Sequence, residues 1–295
     1  MAVWLFLAAW STILVHWRRG EPVLEYQPRR PVPWRALDLV MVFGVYVIAV
    51  AGIELLIIAV LGGTPLIEPP RIQPAESPNA AHIVARLLNQ GNAIVLLVCG
   101  LSAVVVAPVA EEFFFRVLLQ GWLEAGQRRL RPAMPTLRRW VPGASGPIVL
   151  TALLFARIHF RVDTPMMNIH YLTLLLAGNA AANVLVMLAT VCLLRMRAGA
   201  TAVDFGWVPG KFFGDVGLGL AAFAAVAAPV YAMMITLTAL MPKCIAPDPL
   251  VLFPFALVLG TLYWRTHRIV PAIVLHMALN ATSLAVALAW IALQK

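Results

Sequence analysis

A chain of 295 residues and 32.1 kDa is long enough for one or two soluble domains. Its 62% hydrophobic and 12% charged content and mean hydropathy of +0.88 cannot furnish a water-facing surface, for which about 25% charged residues is ordinary. These figures exclude a disordered chain and a cytosolic enzyme. The three widely spaced cysteines, Cys99, Cys192 and Cys244, exclude a disulfide scaffold and any Cys-x-x-Cys centre. The net charge of +9 is read as the arginine bias of membrane loops, so no nucleic-acid partner is expected.

A span needs about 20 apolar residues. Candidates lie near 1 to 17, 36 to 63, 93 to 122, 147 to 162, 166 to 194, 212 to 241, 250 to 264 and 269 to 294. The fold class expected is therefore all-α, a polytopic transmembrane helical bundle of about eight spans. In the first candidate no basic residue precedes the apolar run, and Arg18-Arg19 follows it, so it reads as an anchor with its N-terminus outside and not as a cleavable leader. Residues 64 to 92, with Pro65, Pro69, Pro70, Pro74 and Pro78, read as an extended outer loop because proline removes backbone donors and disfavours helix before it. Pro108 is expected to kink or split the long third run.

Alternate loops carry unequal charge. Fifteen Lys and Arg fall in the loops holding Arg18 to Arg35, Arg128 to Arg139, Arg195 to Lys211 and Arg265 to Arg268, against six in the other set. That split puts the first set in the cytoplasm.

Ionisable side chains within spans cost about 2.5 to 3.5 kcal/mol each at mid-helix, so their presence needs a reason. In APVAEEFFFRVLLQGW, Glu111, Glu112 and Arg116 lie inside an apolar helix. At 100° per residue Arg116 falls about 40° from Glu112 and about 140° from Glu111, so Glu112 and Arg116 pair while Glu111 has no local partner. An unpaired intramembrane carboxylate is a candidate general base. His159 follows Phe155 by one helical turn, and His276 and Asn280 are likewise one turn apart. Such a His/Asn pair serves either as an interhelical clasp or as an oxyanion or water site. Counting 1.5 Å per residue from the cytoplasmic loops puts Glu111 and His159 roughly 20 Å deep and His276 about 12 Å deep. His16, His82, His170 and His267 read as interfacial or solvated.

Glu111-Glu112-x-x-x-Arg116, Phe155-x-x-x-His159 and His276-x-x-x-Asn280, in this order on apolar helices, resemble the motif set of the CPBP family, the type II CAAX prenyl endopeptidases and bacteriocin-processing or immunity proteins also called Abi. The likeness runs from about residue 93 to 290. It implies an intramembrane endopeptidase in which Glu111 with His159 activates a water, His276 and Asn280 stabilise the oxyanion, and Glu112, Arg116 and Phe155 are structural support. The implied partners are the lipid bilayer and a membrane-bound or lipid-associated peptide substrate; the oligomeric state is left open. The family is described both as glutamate-dependent and as metallopeptidase. A zinc ion, if used, would fall to Glu111, His159 and His276.

The resemblance divides the chain into an N-terminal anchor, second span and outer loop over 1 to 92 and a protease domain over 93 to 295. The 160 to 268 interval is long for the family. The expected setting is a bacterial inner membrane, with the site towards the cytoplasmic half. Two other readings of the intramembrane carboxylates remain: a proton-coupled carrier, for which Glu54 would count, and a non-catalytic immunity or scaffold protein. Gly143-Ala144-Ser145-Gly146 matches a Gly-x-Ser-Gly pattern but lies in a basic linker and reads as a turn.

Overall fold

A computed structural model describes residues 2–60, 93–133, 143–159, 169–240 and 248–293, and among these every regular element is helical. In chain order they are α1 (Ala2–Arg19), α2 (Ala36–Val60), α3 (Ala93–Leu130), α4 (Ser145–Ile158), α5 (Ile169–Ala198), α6 (Phe212–Leu240), α7 (Asp248–Thr266) and α8 (Val270–Leu293). Six of them, α2, α3 and α5 to α8, are long and apolar enough to cross a membrane. The other two candidates are α1, whose last turn carries His16, Arg18 and Arg19, and α4. At 14 residues α4 is about 21 Å long, short of the ~30 Å hydrocarbon core. The proline-rich stretch 64 to 92 lies outside the described residues.

α3 is not split at Pro108. Its 38 residues contain two π-helical stretches, Leu101–Val106 and Phe113–Gln120, closed by i→i+5 bonds from Ala107 N to Ser102 O and from Gly121 N to Arg116 O. The missing amide of Pro108 falls just after the first of these stretches, where the backbone register changes.

The chain forms two compact units. The first comprises Met1–Ala36, Glu111–Phe160 and Leu194–Leu279; the second comprises Leu37–Ala110, Arg161–Leu193 and Asn280–Lys295. The first unit packs α6, α7 and α8 around Val230, Val251, Phe255, Leu259, Leu262, Ala272, Leu275 and Leu279, and seats α4 on α7 through Ala152, Phe155 and Ala256. Close approach depends on missing side chains. A Cβ on Gly219 would lie 2.8 Å from Pro271 O and 2.7 Å from Val274, and one on Gly260 would lie 3.1 Å from Gln120 and from Ile148. In the second unit Gly178 of α5 plays the same part against Ile53 and Ile57 of α2.

The segment between α1 and α2 is latched to the first unit. Trp34, 1% exposed, donates its Nε1–H to Leu118 O at 3.2 Å and stacks on Phe205 at 5.9 Å. Arg30 grips the buried Asp204 with Nε at 3.0 Å and Nη2 at 2.6 Å, and the Thr201 amide and hydroxyl donate to the same carboxylate at 2.8 and 2.7 Å. Burial alone would raise the Asp204 carboxyl, but the hydrogen bonds from Arg30 and Thr201 outweigh it and hold it below its ordinary value. A depressed carboxyl contributes stability above its unfolded pKa, and loses it as pH falls through the folded one. Asp204→Asn is therefore expected to lower the melting temperature at pH 7 and to flatten its decline below about pH 4; unchanged melting curves at both pH values would refute the latch.

His267, read from the sequence as interfacial, is instead 6% exposed. Its Nδ1–H donates to Gln27 O at 2.8 Å, because the chain before α2 folds back over the end of α7. His82 and the side chain of His170 lie outside the described residues.

Candidate active site

Glu111 and Glu112 stand on α3 just before its second π stretch, and their environments differ. Glu112 is fully buried. Its Oε2 accepts from Arg116 Nε at 3.1 Å, the i,i+4 pair expected from spacing. Its Oε1 lies 3.0 Å from Nδ1 of His276 on α8. Arg116, also 0% exposed, donates from Nη1 to Thr151 Oγ at 3.4 Å and packs its guanidinium 5.4 Å from the Phe155 ring centre. Thr151 passes its own hydroxyl proton to Pro147 O at 2.9 Å. Two charges without water are tolerable only when paired and hydrogen-bonded, and these contacts supply that.

Phe155 is the spacer. Its ring, 0% exposed, lies 4.5 Å from that of His159 and 5.8 Å from that of His276, while Phe255 of α7 holds the other side of His276 at 5.5 Å. His159 ends α4, one turn beyond Phe155, and its Nδ1 is 2.7 Å from Phe155 O. A carbonyl only accepts, so Nδ1 carries the proton and the neutral ring keeps its lone pair on Nε2. His276 is oriented the same way, with Nδ1 on the Glu112 carboxylate.

Both Nε2 atoms face Glu111. His159 Nε2 is 3.6 Å and His276 Nε2 is 3.8 Å from Glu111 Oε2. These separations exceed a direct N–H···O bond and suit groups that share a water. The side chains of Glu111 and His159 are 25% and 30% exposed, against 0% for Glu112 and 5% for His276. The accessible pair is thus backed by a buried one.

Among the residues singled out in the sequence, Glu111, Glu112, Arg116, Phe155, His159 and His276 come together in the first unit. Asn280, one turn past His276 on α8, belongs to the second unit, where its Nδ2 donates to Ala103 O at 2.8 Å. Glu54 also belongs to the second unit and is exposed on α2. Ser145 opens α4 whereas His159 closes it, about 20 Å along the helix, so the Gly-x-Ser-Gly serine stands apart from the cluster. Sequence reasoning missed Thr151 and Gln120. Both were legible as extensions of a stripe: Thr151, Phe155 and His159 recur every four residues, as do Glu112, Arg116, Gln120, Glu124 and Arg128.

Two imidazoles with engaged Nδ1 atoms and one carboxylate are zinc-site donor types. Their arrangement is another matter: among the described residues no group of three or more His, Cys, Asp or Glu is placed to hold a metal ion. Only the donor types speak for zinc.

Thr151 gives a small test. Thr151→Val removes a hydroxyl that meets Arg116, and is expected to destabilise the fold by about 1 to 3 kcal/mol, the cost of an unsatisfied buried donor; thermal unfolding in detergent reads it.

The model of the type II CAAX prenyl endopeptidase Rce1-like family matches residues 93–282, nearly two thirds of the chain, and takes in every member of the cluster. No curated protein and no solved structure matches the chain. The matched stretch holds the Glu-Glu-x-x-x-Arg, Phe-x-x-x-His and His-x-x-x-Asn helices in order, and the chain belongs to the Rce1-like type II CAAX prenyl endopeptidase family of membrane-embedded proteases.

Proposed function

We propose that the protein hydrolyses a peptide bond of a membrane-bound or lipid-associated substrate with a water activated by Glu111 and His159. The observation that carries the reading is the pair of Nε2 atoms at 3.6 and 3.8 Å from one oxygen of a partly accessible carboxylate. A water between them offers one proton to Glu111 and the other to the lone pair of His159 Nε2. As its oxygen attacks the carbonyl carbon, the proton passes to Glu111, the carbonyl π electrons move onto oxygen, and the oxyanion forms. Collapse of that intermediate breaks the C–N bond, and Glu111 returns the proton to the leaving amine.

His276, its ring oriented by the Glu112 carboxylate at 3.0 Å, lies beside the developing oxyanion. Glu112, Arg116 and Phe155 fix the orientation of His276 and His159.

The reading also takes all eight helices as crossing or entering the bilayer of a bacterial inner membrane. The N-terminus lies outside, the arginine-rich loops are cytoplasmic, residues 93–295 form the protease domain and the site sits towards the cytoplasmic half. Carboxylate activation is separable from zinc chemistry. Cleavage of a lipid-anchored peptide by the purified protein in proteoliposomes is expected to persist after exhaustive chelation. Activity lost to the chelator and restored by added zinc would overturn direct activation by Glu111.

A further inference from the structure

The first unit has a second polar centre, at the end where α3 finishes, α4 begins and α7 stops. A cavity of about 260 Å³ opens there. Arg128 of α3 and Arg131 just past its end line it, Tyr26 and Trp264 form an aromatic wall with ring centres 5.3 Å apart, and Gly143–Ala144 closes the side at the start of α4. The guanidiniums are held in place. Arg128 Nη1 donates to Arg29 O at 2.7 Å and its Nη2 is 3.4 Å from Glu124, and Arg131 Nη2 donates to Gly143 O.

The lining is net positive. Glu124 is its one carboxylate and is 3% exposed. It is already engaged by Gln120 at 3.0 Å and faced by His267 Nε2 at 3.4 Å, so it is turned inward to the protein. Arg265 packs its guanidinium over the Trp264 ring at 4.8 Å. Fixed arginine planes recognise phosphate better than mobile lysines do. Tryptophan and tyrosine rings belong at the headgroup level of a bilayer, and basic pockets between transmembrane helices are headgroup sites.

Size narrows the occupant. The cavity falls below the ~300 Å³ lower bound of pockets for drug-sized ligands, and a phosphate group with its ester substituent suits a space of that size.

We propose that this cavity is a binding site for a phosphate ester, the headgroup of an anionic phospholipid or a free phosphate monoester, separate from the carboxylate–imidazole cluster. The site stands independently of the peptidase reading.

The test is native mass spectrometry of the full-length protein released from nanodiscs of phosphatidylglycerol or of phosphatidylcholine, with melting temperatures measured with and without millimolar glycerol phosphate. Three variants accompany it: Arg131→Gln inside the cavity, Gln127→Glu, which puts a negative charge on its wall while leaving both arginines, and Arg129→Gln, an exposed neighbour. One retained phosphatidylglycerol that glycerol phosphate does not displace assigns a lipid headgroup. No retained lipid, with a melting temperature raised by glycerol phosphate, assigns a free ester. In either case Arg131→Gln and Gln127→Glu are expected to weaken binding about tenfold, as for one charge-assisted hydrogen bond, and Arg129→Gln to leave it unchanged. Neither ligand bound, or an equal loss in Arg129→Gln, overturns the site in favour of diffuse surface attraction.

Discussion

Glu111→Gln is expected to abolish hydrolysis without unfolding the protein. A positioned general base contributes about 10² to 10⁴ in rate. The amide keeps the size and shape of the carboxylate but cannot take a proton from water, so kcat is expected to fall by at least that factor while KM stays near its original value. The fold is expected to tolerate the change because Glu111 meets no arginine, only His159 and His276 at 3.6 and 3.8 Å. The readout is cleavage of a lipid-anchored peptide beside a thermal melt of the same sample. A carrier would lose flux and not cleavage, and a scaffold would lose neither. Glu54→Gln, on an exposed face of α2, is expected to leave hydrolysis intact.

The largest loss of stability is expected at the neighbouring residue. Glu112→Gln leaves the Arg116 guanidinium, 0% exposed, without its carboxylate, and breaking a buried pair from one side costs about 3 to 5 kcal/mol. Turnover is expected to fall too, because one amide oxygen cannot accept from both Arg116 and His276, and the amide N–H then faces one of these two donors. The two effects separate in Glu112→Leu combined with Arg116→Met. Replacing both charges by apolar side chains of similar volume is neutral or mildly stabilising, so the melting temperature recovers while cleavage does not. Recovery of both would mean that Glu112 has no part in positioning His276. Failure of the double variant to regain stability would mean that the charges are not the source of the loss.

Much of this was legible in the chain because α-helical spacing is local. The four-residue interval from Glu112 to Arg116 predicts an ion pair and the structure has it; Phe155 and His159 sit one above the other for the same reason. The apolar runs mark the helices since lipid demands length and hydropathy together. What was not legible is non-local or depends on small changes of backbone register. Nothing in the composition of LSAVVV or FFFRVLLQ distinguishes the i→i+5 bonding they adopt from i→i+4 bonding. The bond between Glu112 and His276 joins residues 164 positions apart; spacing alone pairs Glu112 with Arg116 and says nothing of His276. Arg30 read as one more loop charge, but it is the grip on Asp204, a contact that only the tertiary fold brings about.

The most direct measurement compares peptides by mass spectrometry in membranes carrying equal amounts of the intact protein and of Glu111→Gln. The account predicts at least one truncated membrane peptide, with a new terminus, found only with the intact form. The same termini in equal amount in both membranes would contradict it.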